Sequence, residues 1–209
     1  GLAHALQAPA LAWGVLAALL ALGLYVCTGM IYGAVKAIRE WATPLTPINY
    51  TLIGLASGGL LASALAAFVA PQLVPGLARL ALVATAVAAL ARGFAYWRNR
   101  RLVPRTTLQT AIGVRHPRVV QKSQGAMGGS FNTREFFHGR PAALVTRVRW
   151  AAALLGFVLP AAGLAAGAAL TGPALAALFL LQYAGLLAER WSFFTEANHP
   201  QNLYYRAIA

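Results

Sequence analysis

The chain has 209 residues, of which 59% are hydrophobic and only 10% charged, against roughly a quarter charged in a soluble domain. That composition excludes an ordinary water-soluble globule. The formal net charge is +13, but the Lys and Arg residues stand between long apolar runs, which argues for membrane topology and against a nucleic-acid-binding surface. A lone cysteine, Cys27, leaves no disulfide and no thiolate ligand set, so any iron–sulfur chemistry belongs to a partner.

A helix crosses the hydrocarbon core with about 20 mostly apolar residues. Residues 10–35 form the first such stretch, with Pro9 ahead of it and Lys36 and Arg39 following. Residues 48–69 form the second, and Pro47 stands at its first turn, where a missing N–H costs nothing. Residues 77–97 form the third, 150–170 the fourth and 174–188 the fifth. Pro173 precedes the fifth, and Trp191, Phe193 and Phe194 extend it into the interfacial aromatic belt. Pro160 predicts a bend in the fourth span, because its ring removes a backbone hydrogen bond. Gly29-x-x-x-Gly33, Gly54-x-x-x-Gly58 and Gly163-x-x-x-Gly167 place small residues on single helix faces, a packing signal. The expected fold is all-α: a polytopic transmembrane helix bundle in a single domain, residues 1–209, with five spans visible.

Charge falls on alternate connections. Lys36, Arg39, the many arginines of residues 92–149, Arg190 and Arg206 lie on one side, together with Glu40, Glu135, Glu189 and Glu196. Residues 70–76 and 171–173 on the other side carry no charge, and only Arg79 lies near them. By the positive-inside rule the basic connections and the C-terminus face the cytoplasm of a bacterial inner membrane. His4, His116, His138 and His199 fall outside the spans, so no axial ligand for haem is expected. No ionisable residue sits in the middle of a span, which argues against a channel or pump. The chain opens on Gly1 rather than Met, as expected of a processed chain or a piece of a longer one.

The connection at residues 98–149 is long enough to expect a task for it. Arg115, His116, Met127, Phe131, Arg134, Phe136, Phe137 and His138 combine apolar bulk with positive charge, the composition of a protein interface, and the expected role is docking a cytoplasmic subunit. The plainer alternative is a solvated loop against lipid headgroups. Gly125-Ala-Met-Gly-Gly lacks the Gly-Lys-Ser/Thr element of a nucleotide loop.

Three motifs carry a resemblance: Thr43-Pro-Leu-Thr-Pro-Ile-Asn-Tyr, Gly128-Gly-Ser-Phe-Asn-Thr-Arg-Glu-Phe-Phe-His-Gly, and Ala188-Glu-Arg-Trp-Ser-Phe-Phe-Thr-Glu-Ala. Together they resemble the membrane-anchor subunit family of dimethyl sulfoxide reductase, and the second is most similar to the branch found in membrane-bound sulfite dehydrogenases. The resemblance implies an eight-helix, haem-free anchor within a heterotrimer. In it a molybdopterin catalytic subunit and a four-cluster iron–sulfur subunit exchange electrons with membrane quinone, ubiquinone or menaquinone, through the anchor. This chain shows fewer spans and lacks the amino-terminal His-Leu-Gly element that the family associates with its quinone pocket.

A quinone site needs an apolar slot and one or two polar groups close to the docked electron carrier, which favours the basic helix ends. Tyr32, Lys36, Trp41, Glu189, Arg190 and Trp191 stand there, with Glu189 placed to relay a proton and Tyr32 or Arg190 to bond a carbonyl oxygen. The alternative for the same residues is an aromatic belt and a structural Glu189–Arg190 pair. The expected function is the anchor and quinone-reactive subunit of a sulfite-oxidising molybdoenzyme. The rivals are the anchor of a dimethyl sulfoxide or related reductase fed by menaquinol, and a small membrane transporter or assembly factor.

Overall fold

The computed structural model describes residues 2–103, 107–114, 116, 118, 141–167 and 171–197, and every regular element among them is helical. Helix α1 runs Leu2–Gly33 and α2 Leu45–Val69; a 3-10 turn at Pro71–Leu73 leads into α3, Val74–Asn99. Helix α4 is a short piece at Leu108–Ile112. A continuous rod follows, made of α5 (Ala142–Ala153), a π-helical turn (Leu154–Val158) and α6 (Leu159–Ala166), and then α7, Gly172–Thr195. Five segments are long and apolar enough to cross a membrane: Ala10–Gly33, Leu45–Val69, Pro71–Asn99, Ala142–Ala166 and Gly172–Thr195.

Helix ends differ from the hydropathy reading where charge is satisfied inside the bundle. The fourth membrane helix starts at Ala142 rather than residue 150, so residues 142–149 leave the long connection. Arg149 rides on that helix because its guanidinium faces Glu196, with Nε 3.8 Å from Oε1. Helix α7 continues past residue 188 to Thr195, since Glu189 and Arg190 neutralise each other on it. Pro9 falls inside α1 rather than at its start.

Pro160 has a different local consequence from a simple bend. Lacking an N–H, it cannot bond the carbonyl four residues back, which is that of Gly156, and the helix ahead of it widens into the π turn, where the Leu159 N–H reaches back to the Leu154 carbonyl. The freed Gly156 oxygen accepts a hydrogen bond from Gln182 Nε2 on α7 at 3.3 Å.

Helix α2 packs on α1, α3 and α7, while α5 and the π turn pack on α7 and α6 packs on α3. The α2, α3, α7 and α5–α6 rods therefore form a four-cornered bundle with α3 and α7 on opposite corners, and α1 lies outside against α2. Alanines interleave with larger apolar side chains at the contacts, with Leu60, Ala64, Ala78, Ala81, Leu164 and Leu175 in one buried cluster and Ala56, Ala88, Phe157 and Leu186 in another. Lipid tails are as apolar as leucine, so association rests on close packing and polar contacts. Space shows this directly: a Cβ on Gly59 would sit 3.3 Å from the Ala81 Cα, and one on Gly185 would collide with the Gly156 backbone. Helix α1 is exposed all round from Ala10 to Leu24 and meets the bundle further along, where Tyr25 covers Gly54, Gly29 abuts Pro47 and Tyr32 packs on Tyr50 and Phe193.

Candidate functional site

Polar residues recur every seven positions on the two diagonal helices. On α3 they are Thr85, Arg92 and Asn99; on α7 and the residue after it they are Gln182, Glu189 and Glu196. Seven residues are close to two helical turns, so each set shares one face, and the two faces meet across the centre of the bundle in three rungs. Gln182 Nε2 donates to Thr85 Oγ1 at 3.3 Å. Arg92 Nε lies 2.5 Å from Glu189 Oε1. Asn99 Nδ2 donates to Glu196 Oε2 at 3.4 Å. A cross-link ties the outer two rungs, as Arg92 Nη2 also faces Glu196 Oε2 at 3.5 Å.

Burial makes the middle rung the costliest to disturb. Arg92 is 4% exposed and Glu189 0%, and Arg92 sits about 10 Å inside the end of α3 at 1.5 Å per residue. Each charge faces an opposite charge inside the bundle, as burial requires. Both Glu189 oxygens are engaged, Oε1 by Arg92 and Oε2 by Arg190, whose Nη2 and Nε lie 2.5 and 2.6 Å away. The Arg92 guanidinium also caps the Tyr96 ring, 4.1 Å from its centroid. Beyond the end of α7, burial holds the Glu196 carboxyl above the usual glutamate range; Arg92, Arg149 and the bond from Asn99 oppose this, and the charge of Glu189 adds to it.

Beside the seam, five rings form a box at the basic end. Trp41 stacks on Phe193 with centroids 5.1 Å apart and planes at 5°, and its Nε1 donates to the Phe193 carbonyl at 3.1 Å. Tyr32 meets Trp41, Phe193 and Phe194 edge-on and stacks against Tyr50 at 5.7 Å. The Arg190 guanidinium covers the Tyr50 ring at 4.2 Å. The connection from α1 to α2 is held in place by Arg98, which donates to the Arg39 carbonyl through both Nη atoms, and by Arg39, which donates to the Val103 carbonyl.

Between seam and box opens a narrow cleft, partly continuous with the outside, with room for about one water molecule. Glu40, Thr46, Asn49, Tyr50, Arg92 and Arg190 supply its polar lining, and Leu45, Ala95 and Phe193 its apolar one. Glu40 Oε2 and Asn49 Oδ1 are buried and lack hydrogen-bond partners, while Arg190 also hydrogen-bonds the Tyr50 side chain.

Of the residues expected at a quinone site, Arg190 lines the cleft, while Tyr32 and Trp41 belong to the adjoining box. Glu189 is engaged in ion pairs, Trp191 is half-buried away from the cleft lining, and Lys36 is exposed. Glu40, Asn49, Tyr50 and Arg92 join the site without being expected there; for Arg92 the available signal is the seven-residue polar repeat, which a reading by charge alone passes over. Among the docking candidates, His116 is exposed and its Nδ1 accepts from the Arg118 backbone N–H at 3.0 Å. Arg115, Met127, Phe131, Arg134, Phe136, Phe137 and His138 lie outside the described residues.

A family model described as DMSO reductase anchor subunit (DmsC) matches residues 2–111, more than half of the chain and all of α1 to α3. The chain belongs to this anchor family. It is 49% identical over 197 residues to a sulfite dehydrogenase subunit from Allochromatium vinosum. That match takes in 94% of this chain and 61% of the relative, so the chain spans about three fifths of the relative's length. No solved structure matches the chain. Helix α7, which supplies half of the polar seam, lies beyond the residues that the family model matches and within a chain matched almost end to end by the relative.

Proposed function

We propose that this chain forms part of the membrane-anchor and quinone-reactive subunit of a molybdenum oxidoreductase that oxidises sulfite. Its partners in this reading are a molybdopterin catalytic subunit and a four-cluster iron–sulfur subunit, and its substrate is membrane ubiquinone or menaquinone. The basic end faces the cytoplasm of a bacterial inner membrane, following the excess of Lys and Arg there. The residues 98–141 connection, with Arg115, His116, Met127, Phe131, Arg134, Phe136, Phe137 and His138, docks the iron–sulfur subunit, so electrons enter at the end that holds the cleft. The observation that carries the reading is the cleft itself: a polar slot walled by aromatic rings at the helix ends of an anchor-family chain. The relative's name supports sulfite as the electron source.

The test is isolation of the complex from native membranes through the full-length protein. Molybdenum and iron in fixed ratio, with sulfite-dependent reduction of decylubiquinone, are expected. Metal-free protein, or a complex that oxidises no sulfite, overturns the reading. A second reading, the anchor of a sulfoxide reductase drawing on menaquinol, is favoured by the matched family model. Reduction of dimethyl sulfoxide by a reduced menaquinol analogue, without sulfite oxidation, would establish it.

A further inference from the structure

We infer that Glu196 is the positioning residue for the long basic connection: its carboxylate holds the outgoing and returning stems together, so that they offer one cationic platform to an acidic face of the docked subunit. The inference deepens the docking part of the proposed function and rests on it. Asn99 closes α3 and opens the connection, and Arg149 lies two turns into α5, the helix that ends it. Glu196 stands between the two, just beyond α7. Its Oε2 accepts from Asn99 Nδ2 at 3.4 Å and faces Arg92 Nη2 at 3.5 Å, and its Oε1 faces Arg149 Nε at 3.8 Å. One carboxylate thus touches both stems and the buried arginine of the seam.

The outgoing stem is tied more than once. Arg98 Nη1 donates to Asn99 Oδ1 at 2.9 Å, which leaves the amide nitrogen for Glu196. Arg98 also holds the Arg39 carbonyl, and Arg39 reaches the Val103 carbonyl. The returning stem is tied by Arg149, whose guanidinium also lies 6.0 Å from the centre of the Tyr96 ring on α3.

Charge explains why a carboxylate is needed there. Arg98, Arg100 and Arg101 crowd the outgoing stem, and Arg147 and Arg149 the returning one, so like charges push the stems apart. The Glu196 side chain is only 7% exposed, and an anion so placed is screened far less than a surface one. Arg100, Arg101 and Arg147 remain exposed, whereas Glu189 and Glu196 turn inward to arginines. The stems therefore present positive charge outward, and the complementary surface is acidic. Between the stems the sequence carries Met127, Phe131, Phe136 and Phe137, which favours a protein face over lipid headgroups as the occupant.

Two measurements on the full-length protein test this. Nitroxide labels on Val103→Cys and Leu144→Cys, one exposed position on each stem, are placed in a Cys27→Ser background, and their separation is read by pulsed EPR in lipid nanodiscs. Separately, membranes stripped of the soluble subunits by high salt are titrated with the purified iron–sulfur and molybdopterin subunits. The parent is expected to give one narrow distance distribution and Glu196→Ala a broad one. Arg149→Gln, at a half-exposed residue, shows the same change if the alanine variant fails to insert. Both variants are expected to weaken re-binding about fivefold, the upper scale of one part-exposed ion pair, with Glu196→Asp restoring part of it. Parent-like distances in both variants overturn the clamp. Broadened distances with parent-like re-binding overturn it as well, and leave anionic headgroups as what the stems meet. If stripped parent membranes re-bind neither subunit, the docking reading falls, and the label distances still decide whether Glu196 sets the stems.

Discussion

The two ends of the α3–α7 diagonal follow one seven-residue rhythm and fill it with opposite chemistry. Toward one end the repeat continues as Ala78 and Leu175, buried in the apolar cluster with Leu60 and Leu164. Toward the basic end it becomes Thr85 with Gln182, Arg92 with Glu189, and Asn99 with Glu196. In a bilayer an apolar rung gains little by choosing a protein neighbour over a lipid tail, so it tolerates sliding and rotation. A polar rung has no comparable alternative in hydrocarbon. The difference teaches that shape packs this bundle and polarity fixes its register, and that the fixed end is also where the cleft lies.

Breaking the middle rung is the harshest test of that contrast. Arg92→Ala leaves Glu189 and Glu196 buried with less compensation, and a loss of about 3–5 kcal/mol is expected from removing one partner of a buried pair. Membrane-inserted yield and the thermal midpoint of the detergent-solubilised protein measure it; near-parent values for both would mean that the pair is dispensable and register is set elsewhere. The inner rung is predicted to matter less. Gln182→Leu removes the bonds to Thr85 and to the freed Gly156 carbonyl, at an expected cost of about 1 kcal/mol, the scale of polar helix contacts in membranes. Full insertion with a modestly lowered midpoint is the expected outcome, and a midpoint above the parent's would show that apolar packing serves this rung as well.

The outer rung gives the smallest effect, visible in its pH dependence. Glu196 titrates above the ordinary glutamate value when folded, chiefly through burial. Between the unfolded and folded values the native state keeps a proton that the unfolded chain has lost, so stability declines as pH rises through that window. Glu196→Gln cannot ionise and is expected to flatten this part of the profile of midpoint against pH. An unchanged slope would assign the pH dependence to other groups.

Hydropathy makes the membrane helices legible, because length and apolarity are local properties. It misjudges their ends where charge is neutralised by a distant residue: Arg149 reads as connection until Glu196 is seen beside it, and Glu189 reads as a helix terminus until Arg92 is found across the bundle. Tyr32, Trp41 and Arg190 are legible as interfacial residues, and they do gather around the cleft. Glu40 and Asn49 are not, since one lies in a turn and the other on an apolar helix; only the folding of α2 against α3 and α7 brings them together. Arg92 is visible throughout, but its sign counts it with the basic connection while its spacing from Thr85 and Asn99 carries the information.

Pro160 and Gln182 are linked through one backbone oxygen. The proline leaves the Gly156 oxygen without a donor in its own helix, and the glutamine supplies one from the neighbouring helix. A descendant that exchanged Pro160 for alanine would close its own backbone bond and release selection on Gln182, whereas loss of the glutamine first would strand the oxygen in hydrocarbon. The order of change along a lineage should therefore run from the proline to the glutamine and not the reverse.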